Sequence, residues 1–427
     1  MGVTEFTIVG ALVIAYALIS RVSSSWPVTM PIVFVGAGAL MSWSGAIEVE
    51  AELAGAKVIA ELALALILFS DAVRIDLHQL RKEALVPTRL LLIGLPLTIV
   101  FGTLVNVLLF PALPLVEMAL LAAILAPTDA ALGAAVVEDE RVPLRARLSL
   151  NVESGLNDGL VVPVVTVLTV IAITGETSAS DAVLEVVEKI GYGLGVGIAV
   201  GALAMWLLGA AHRREWADGR YEQVATFVVP IVAYTGAESL DGSGFLAAFA
   251  AGLTFGAIGS IANAQHFGEF TEDAAQLFGI AAFFVFGNLF VGDALGSYQP
   301  VVWLCALASL TVVRMVPVWI SQWGAGRRWQ TVLFLGWFGP RGLASIVFGI
   351  ILLEDAVSLG GSADDLFGVI TLTVTASVLL HGVTAAWGAR TYAAWAERAD
   401  LSDEEREDMF MHDMDTDMIP PARWPTA

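Results

Sequence analysis

Two stretches, LAPTDAALG (125–133) and NVESGLNDG (151–159), decide how this chain is read. Both lie in segments apolar enough to cross a membrane, yet each carries carboxylates near its middle, beside Pro, Ser, Thr or Asn. An ionisable group at the bilayer centre costs about 2.5–3.5 kcal/mol or more on insertion scales, so those that persist mark ion or proton pathways.

Composition fixes the setting. Of 427 residues, 57% are hydrophobic and 15% charged, against about 45–50% and about 25% in soluble domains. Windows of about twenty apolar residues recur from end to end, the signature of spanning helices. A soluble bundle would need charged helix faces, and these segments are apolar all round. Of the net charge of −21, the stretch from Glu397 to Asp417, with ten acids and two arginines, supplies −8. That composition reads as a disordered tail. Cys305, the single cysteine, excludes an intrachain disulfide. MGVTEFTIVG lacks the basic start of a cleaved signal and reads as the first span.

Apolar runs between polar breaks predict thirteen helices, near 5–20, 27–42, 57–71, 90–110, 115–137, 148–174, 184–210, 224–240, 244–261, 274–292, 299–321, 330–353 and 364–389. The turn signal in ESLDGSG (238–244) separates the eighth from the ninth. With an outside N-terminus this map sorts the arginines of the loops to the inner face and leaves only Lys57 and Lys189 outside, as the positive-inside rule requires. The chain is thus expected to be all-α and polytopic in a plasma (inner) membrane, with a cytoplasmic C-terminus.

An internal repeat is also expected. Pro127 in the fifth helix and Pro340 in the twelfth are 213 residues apart, and the same offset carries residue 11 to the start of the eighth helix. The predicted organisation is a six-helix repeat (1–174), a connector (175–223), an inverted second repeat (224–389) and the acidic tail (390–427). Broken helices at matching positions of inverted halves point to a transporter site.

Asp129, Asp158 and Arg341 all fall about 15–18 Å from a helix end, near the midplane. On the sixth helix Glu153, Ser154, Asn157 and Asp158 share one face at about 100° per residue. Carboxylate, hydroxyl and amide oxygens of that kind suit a hard cation, and Thr128 and Asp129 adjoin a break where carbonyls are free to join. Arg341 is expected to pair with Glu153, leaving Asp158 as the group that titrates.

PTDAALG, NVESGLNDG, SGFLAAFAAGL and GPRGLAS resemble, in matching order along the membrane part, the motifs of the cation/proton antiporter superfamily. The chain is most similar to NhaP-type sodium/proton antiporters, which are related to eukaryotic sodium/hydrogen exchangers. The resemblance implies thirteen helices, crossed broken helices five and twelve, a homodimer, and a role in pH homeostasis. It makes Asp158 the ion- and proton-binding carboxylate. Glu153, Ser154, Thr128 and Asp129 complete the site, with Glu153, Ser154 and Thr128 joining Asp158 around Na⁺. Asn157 positions the site and Arg341 bridges to Glu153. Asn157 stands where the electrogenic branch has a second Asp, which favours one-for-one exchange. Desolvation favours a neutral acid and a bound cation favours its anion, so one carboxylate holds a proton or a cation.

Several readings stay open. Na⁺, Li⁺ and K⁺ are not distinguished, and Asp129 is an alternative second proton site. A proton-coupled organic anion carrier would want an unpaired cation; a cation channel would conduct without proton counterflow; a transport-dead sensor would tolerate loss of Asp158. Arg314 either snorkels or pairs with an unidentified acid. His381 reads as a packing or capping residue rather than a pH sensor, Glu61 and Asp71 as interfacial with a funnel role as the alternative, and Glu238 as a cap. GYGLGVGIAVG (191–201) reads as small-residue helix packing. No phosphate-binding loop, nucleophile triad, metal-ligand cluster or basic nucleic-acid patch occurs, so enzyme chemistry, cofactors, nucleotides and nucleic acids are not expected.

Overall fold

The computed structural model describes residues 3–23, 28–44, 53–75, 85–174, 179–259, 261–291, 299–354 and 363–399. Residues 400–427, most of the predicted tail, lie outside them.

Thirteen helical runs follow one another among the described residues, matching the predicted order. They are α1 (Val3–Ser23), α2 (Met30–Ser44), α3 (Leu53–Val73), α4 (Leu85–Leu109), α5a and α5b (Leu115–Ile124, Ala130–Val137), α6 (Leu144–Thr174) and α7 (Ala179–Arg213). There follow α8 (Gly219–Glu238), α9 (Gly244–Ile258), α10 (Ile261–Phe286), α11 (Pro300–Ser321), α12a and α12b (Trp329–Trp337, Leu343–Glu354) and α13 (Ala363–Arg398). Six runs are by themselves long and apolar enough to cross a membrane.

Two boundaries differ most from expectation. α10 begins at Ile261 instead of 274, because the polar run NAQHFGEFTED is helical and docks on the end of α3, where Glu272 pairs with Arg74. α13 continues to Arg398, well past 389. Hydropathy ends a span where the apolar stretch ends, whereas helical hydrogen bonding carries on into polar residues.

Small residues let helices approach closely. A methyl group at Gly193, Gly197 or Gly201 of α7 would come within 2.8, 2.4 and 2.3 Å of the carbonyls of Ser243, just before α9, and of Ala247 and Ala251 within it. The glycine stripe is therefore a helix-packing seam, as its spacing predicted. The ESLDGSG turn reverses the chain with Asp241 at φ 59°, and Glu238 Oε1 accepts from Gly244 N (2.9 Å) to cap α9. Leu18, Leu104, Leu108, Val187, Ile198 and Trp206 of α1, α4 and α7 point outward. Large apolar side chains on the outside suit a lipid surround.

The core is apolar side chains of α2, α3, α5a, α12b and α13, among them Phe34, Leu64, Leu121, Val347 and Val374. This packing surrounds the two interrupted helices. α5a stops at Ile124 and α12a at Trp337; α5b starts at Ala130 and α12b at Leu343. Both interruptions contain a proline, which supplies no N–H to a helix and disfavours helical backbone in the residue before it.

Candidate ion-binding site

The two unwound segments cross, joined by Asp129 N donating to Pro340 O at 2.8 Å. Asp129 has extended backbone and caps α5b: Oδ1 accepts from Ala131 N (2.8 Å) and Leu132 N (3.2 Å). Oδ2 accepts from Leu343 N (2.7 Å), the first residue of α12b. One carboxylate thus receives the free N–H groups of two helix starts, each carrying about half a positive charge. Gly342 makes this possible, since a Cβ there would lie 1.9 Å from Asp129 Oδ2.

Arg341 serves the opposite ends. It is wholly buried, and its Nη1 donates to Ala126 O (2.6 Å) and Pro127 O (3.2 Å), carbonyls just beyond the end of α5a. Its backbone N donates to Ser377 Oγ of α13 (2.7 Å), and Ser345 Oγ donates to Ile124 O (2.7 Å). A cation among helix-end carbonyls and an anion among helix-start amides is the arrangement the dipoles favour.

Glu153 is therefore not paired with Arg341 as expected. Its partner is Arg314 of α11: Nη1 to Oε1 at 2.5 Å and Nη2 to Oε2 at 2.8 Å, with both side chains almost fully buried. Such a two-pronged guanidinium–carboxylate contact is the strong form of the interaction. Gly339 lets Arg314 pass, since a Cβ there would meet its Nε at 2.4 Å. Arg314 does not snorkel. The signal was depth: Glu153 is nine residues from the start of α6 and Arg314 seven from the end of α11, while Arg341 is twelve into its helix.

The remaining predicted residues do come together. Thr128 Oγ1 accepts from Asn157 Nδ2 (2.6 Å) and lies 3.1 Å from Ser154 Oγ. Asp158, the residue after Asn157 on α6, is buried, and its Oδ1 and the Oδ1 of Asn157 have no hydrogen-bond partner. The two other acids expected in the ion site differ from these: Glu153 spends both oxygens on Arg314 and Asp129 both on backbone amides.

Asp71, read from sequence as interfacial, is the acid that was missed. Its carboxyl group faces the bare backbone of Gly155, where a Cβ would lie 3.7 Å from Cγ and 3.9 Å from Oδ2. Asp71, Asp129 and Asp158 are near enough to act on one another electrostatically. Its place near the end of α3 hid it, because hydropathy cannot say that a helix end packs beside a neighbour's middle. The resulting cluster joins carboxylate, hydroxyl and amide oxygens, the donor set a hard cation takes.

The comparisons agree with this architecture. A profile described as sodium/hydrogen exchanger, transmembrane, matches residues 8–390. The chain is 26% identical over 402 residues to the K⁺/H⁺ antiporter NhaP2 of Shewanella sp. (strain MR-4), covering 91% of this chain and 67% of that one. It is 28% identical over 404 residues to the Na⁺/H⁺ antiporter ApNhaP of Aphanothece halophytica, covering 89% and 73%. Its fold is similar to the sodium proton antiporter MjNhaP1 of Methanocaldococcus jannaschii, with TM-score 0.75 and 20% identity, covering 91% of this chain and 99% of that one. With its crossed broken helices and the carboxylates gathered around them, this chain belongs to the sodium/hydrogen exchanger family, a family of membrane transporters and not of enzymes.

Proposed function

We propose that this protein exchanges Na⁺ for H⁺, one for one, by alternating access, with the two ions competing for Asp158. One observation carries the reading. Arg314 answers Glu153, Asp129 answers two helix starts and Arg341 gives its Nη1 to helix-end carbonyls, whereas Asp158 is the acid among them that is buried with an oxygen left over. A carboxylate in that position is satisfied by a proton or by a cation, and desolvation penalises the empty anion.

The cation would sit among Asp158, Ser154 and Thr128, with Asn157 orienting Thr128 and Asp71 adding negative potential. Exchange is obligatory when the proton-loaded and cation-loaded forms reorient and the bare anion does not. Asn157 beside Asp158 supports one titrating acid per cycle, so a cycle moves no net charge. K⁺/H⁺ exchange is the second reading, favoured by the similarity to NhaP2.

The same reading includes a homodimer in the cell membrane with the N-terminus outside, the C-terminus and its acidic tail inside, and inverted halves joined by α7. The α5 and α12 interruptions supply support for the halves: each begins and ends 213 residues after its counterpart. The test is proton flux in proteoliposomes under imposed Na⁺ or K⁺ gradients, with and without a clamped voltage. Saturable exchange indifferent to voltage is expected. Voltage-driven exchange contradicts the stoichiometry, because one net charge couples to about 2.3 kcal/mol per 100 mV.

A further inference from the structure

α13 carries a polar seam that the exchange cycle does not use. Ser377 Oγ accepts from Arg341 N at 2.7 Å, and His381 Nδ1 lies 3.1 Å from Ser377 Oγ and 3.0 Å from Ser377 O. The His381 ring is buried against Trp337, with centroids 5.1 Å apart. One turn further on, Thr384 Oγ1 accepts from Trp337 Nε1 at 3.0 Å. Trp337 is the last residue of α12a and Arg341 lies two residues before α12b. The seam therefore grips both sides of the α12 interruption.

The hydrogen bonds can be given directions. Ser377 Oγ already accepts from Arg341 N, so its own proton is free for His381 Nδ1. The ring then keeps its proton on Nε2, on the side away from Ser377, whereas a proton on Nδ1 would go to Ser377 O instead. This scheme needs one N–H and one lone pair on the ring, hence a neutral imidazole. The charged groups acting on the ring are Arg341 and Arg314, both cations.

We propose that Ser377 and His381 form a clasp that fixes the unwound 338–342 segment, making them positioning residues for ion exchange through Arg341 and the Asp129–Leu343 contact. Without the clasp the segment is free to shift, and Arg341 and Leu343 N shift with it. The carbonyls and carboxylate they hold lie beside Thr128, so the ion site loses its fixed geometry. The inference rests on the proposed exchange for its kinetic readout only.

The test compares purified, reconstituted full-length wild type with Ser377→Ala, Ser377→Thr, His381→Phe and His381→Gln. Maximal rate, apparent cation affinity and pH profile are measured with Na⁺ and with K⁺, alongside thermal midpoints. Ser377→Ala and His381→Phe are expected to lose about tenfold in rate and to shift the apparent cation affinity by about threefold or more. Ser377→Thr keeps the hydroxyl and His381→Gln a donor and an acceptor, so both recover most of the loss with an unmoved pH profile. Wild-type rate and affinity in Ser377→Ala and His381→Phe overturn the clasp, as does a shifted profile in His381→Gln. ¹⁵N-histidine NMR of the wild type, assigned with His381→Gln, is independent of transport and of the harsher variants' folding. An Nε2–H ring is expected, and an Nδ1–H ring overturns the scheme. Absence of exchange in the wild type refutes the proposed function instead, and the NMR result still decides the clasp.

Discussion

The pairing of Glu153 with Arg314 can be tested by removing its members singly and together. Replacing Arg314 with Met leaves Glu153 buried without its cation, and replacing Glu153 with Leu strands Arg314 in the same way. Each single change is expected to cost about 3–5 kcal/mol, because an uncompensated buried charge remains. The double variant Glu153→Leu/Arg314→Met removes both charges and is expected to lie within about 1 kcal/mol of wild type. Unfolding entropy scales near 2.1 cal/mol/K per residue, so each single variant should melt roughly 3–6 °C lower and the double within about 1–2 °C of wild type. Thermal melts of purified protein at fixed pH and cation concentration read this directly. Arg341→Met in the Glu153→Leu background provides the contrast. Arg341 holds the carbonyls of Ala126 and Pro127, so its loss should add to the damage. Recovery of Glu153→Leu by Arg341→Met, and not by Arg314→Met, would refute the assignment.

Other outcomes follow from the crossing and from one loop. Gly342→Ala forces a methyl group against Asp129 Oδ2, whereas nothing lies within 4 Å of a Cβ at Gly133; Gly342→Ala is therefore expected to abolish exchange and Gly133→Ala to be tolerated, as flux assays would show. Asp129→Asn retains one accepting oxygen for three backbone donors and should lower stability by about 1–3 kcal/mol, while leaving cation-coupled proton release intact, which calorimetry and pH-indicator dyes can separate. Glu138, just past α5b, is exposed to water, yet partial desolvation at the helix end raises its carboxyl above the usual range. A folded-state value above the unfolded one makes the ionised side chain a liability that disappears as the pH falls below the carboxylate range. Glu138→Gln should thus raise the melting temperature only slightly at neutral pH, because water screens most of the effect, and lose that advantage in acid.

Much of this was legible in the sequence because membrane helices announce themselves by length and hydropathy, and because Pro127 and Pro340 mark breaks by their own chemistry. The polar face of α6 followed from helical periodicity, and Thr128, Ser154 and Asn157 meet across it. What failed was partner choice. Arg341 and Arg314 each offered a guanidinium at depth, and the choice between them depends on how α11 is turned against α6, which no one-dimensional pattern encodes. Asp71 was lost for a related reason: a position near a helix end was taken for a position at the membrane surface. Asp129 has the residue type of an ion ligand, and only the arrival of Leu343 N from 214 residues away reveals its task as a joint between helices.

The central claim is a competition at one carboxylate, and the most direct measurement is proton release on cation binding. Purified protein in weakly buffered detergent solution, carrying a pH indicator, is titrated with Na⁺ and then with K⁺. The wild type should release one proton for each cation bound, with apparent affinity weakening as the pH falls, and Asp158→Asn should release none. Cation binding without proton release in the wild type, or undiminished release from Asp158→Asn, would contradict the account.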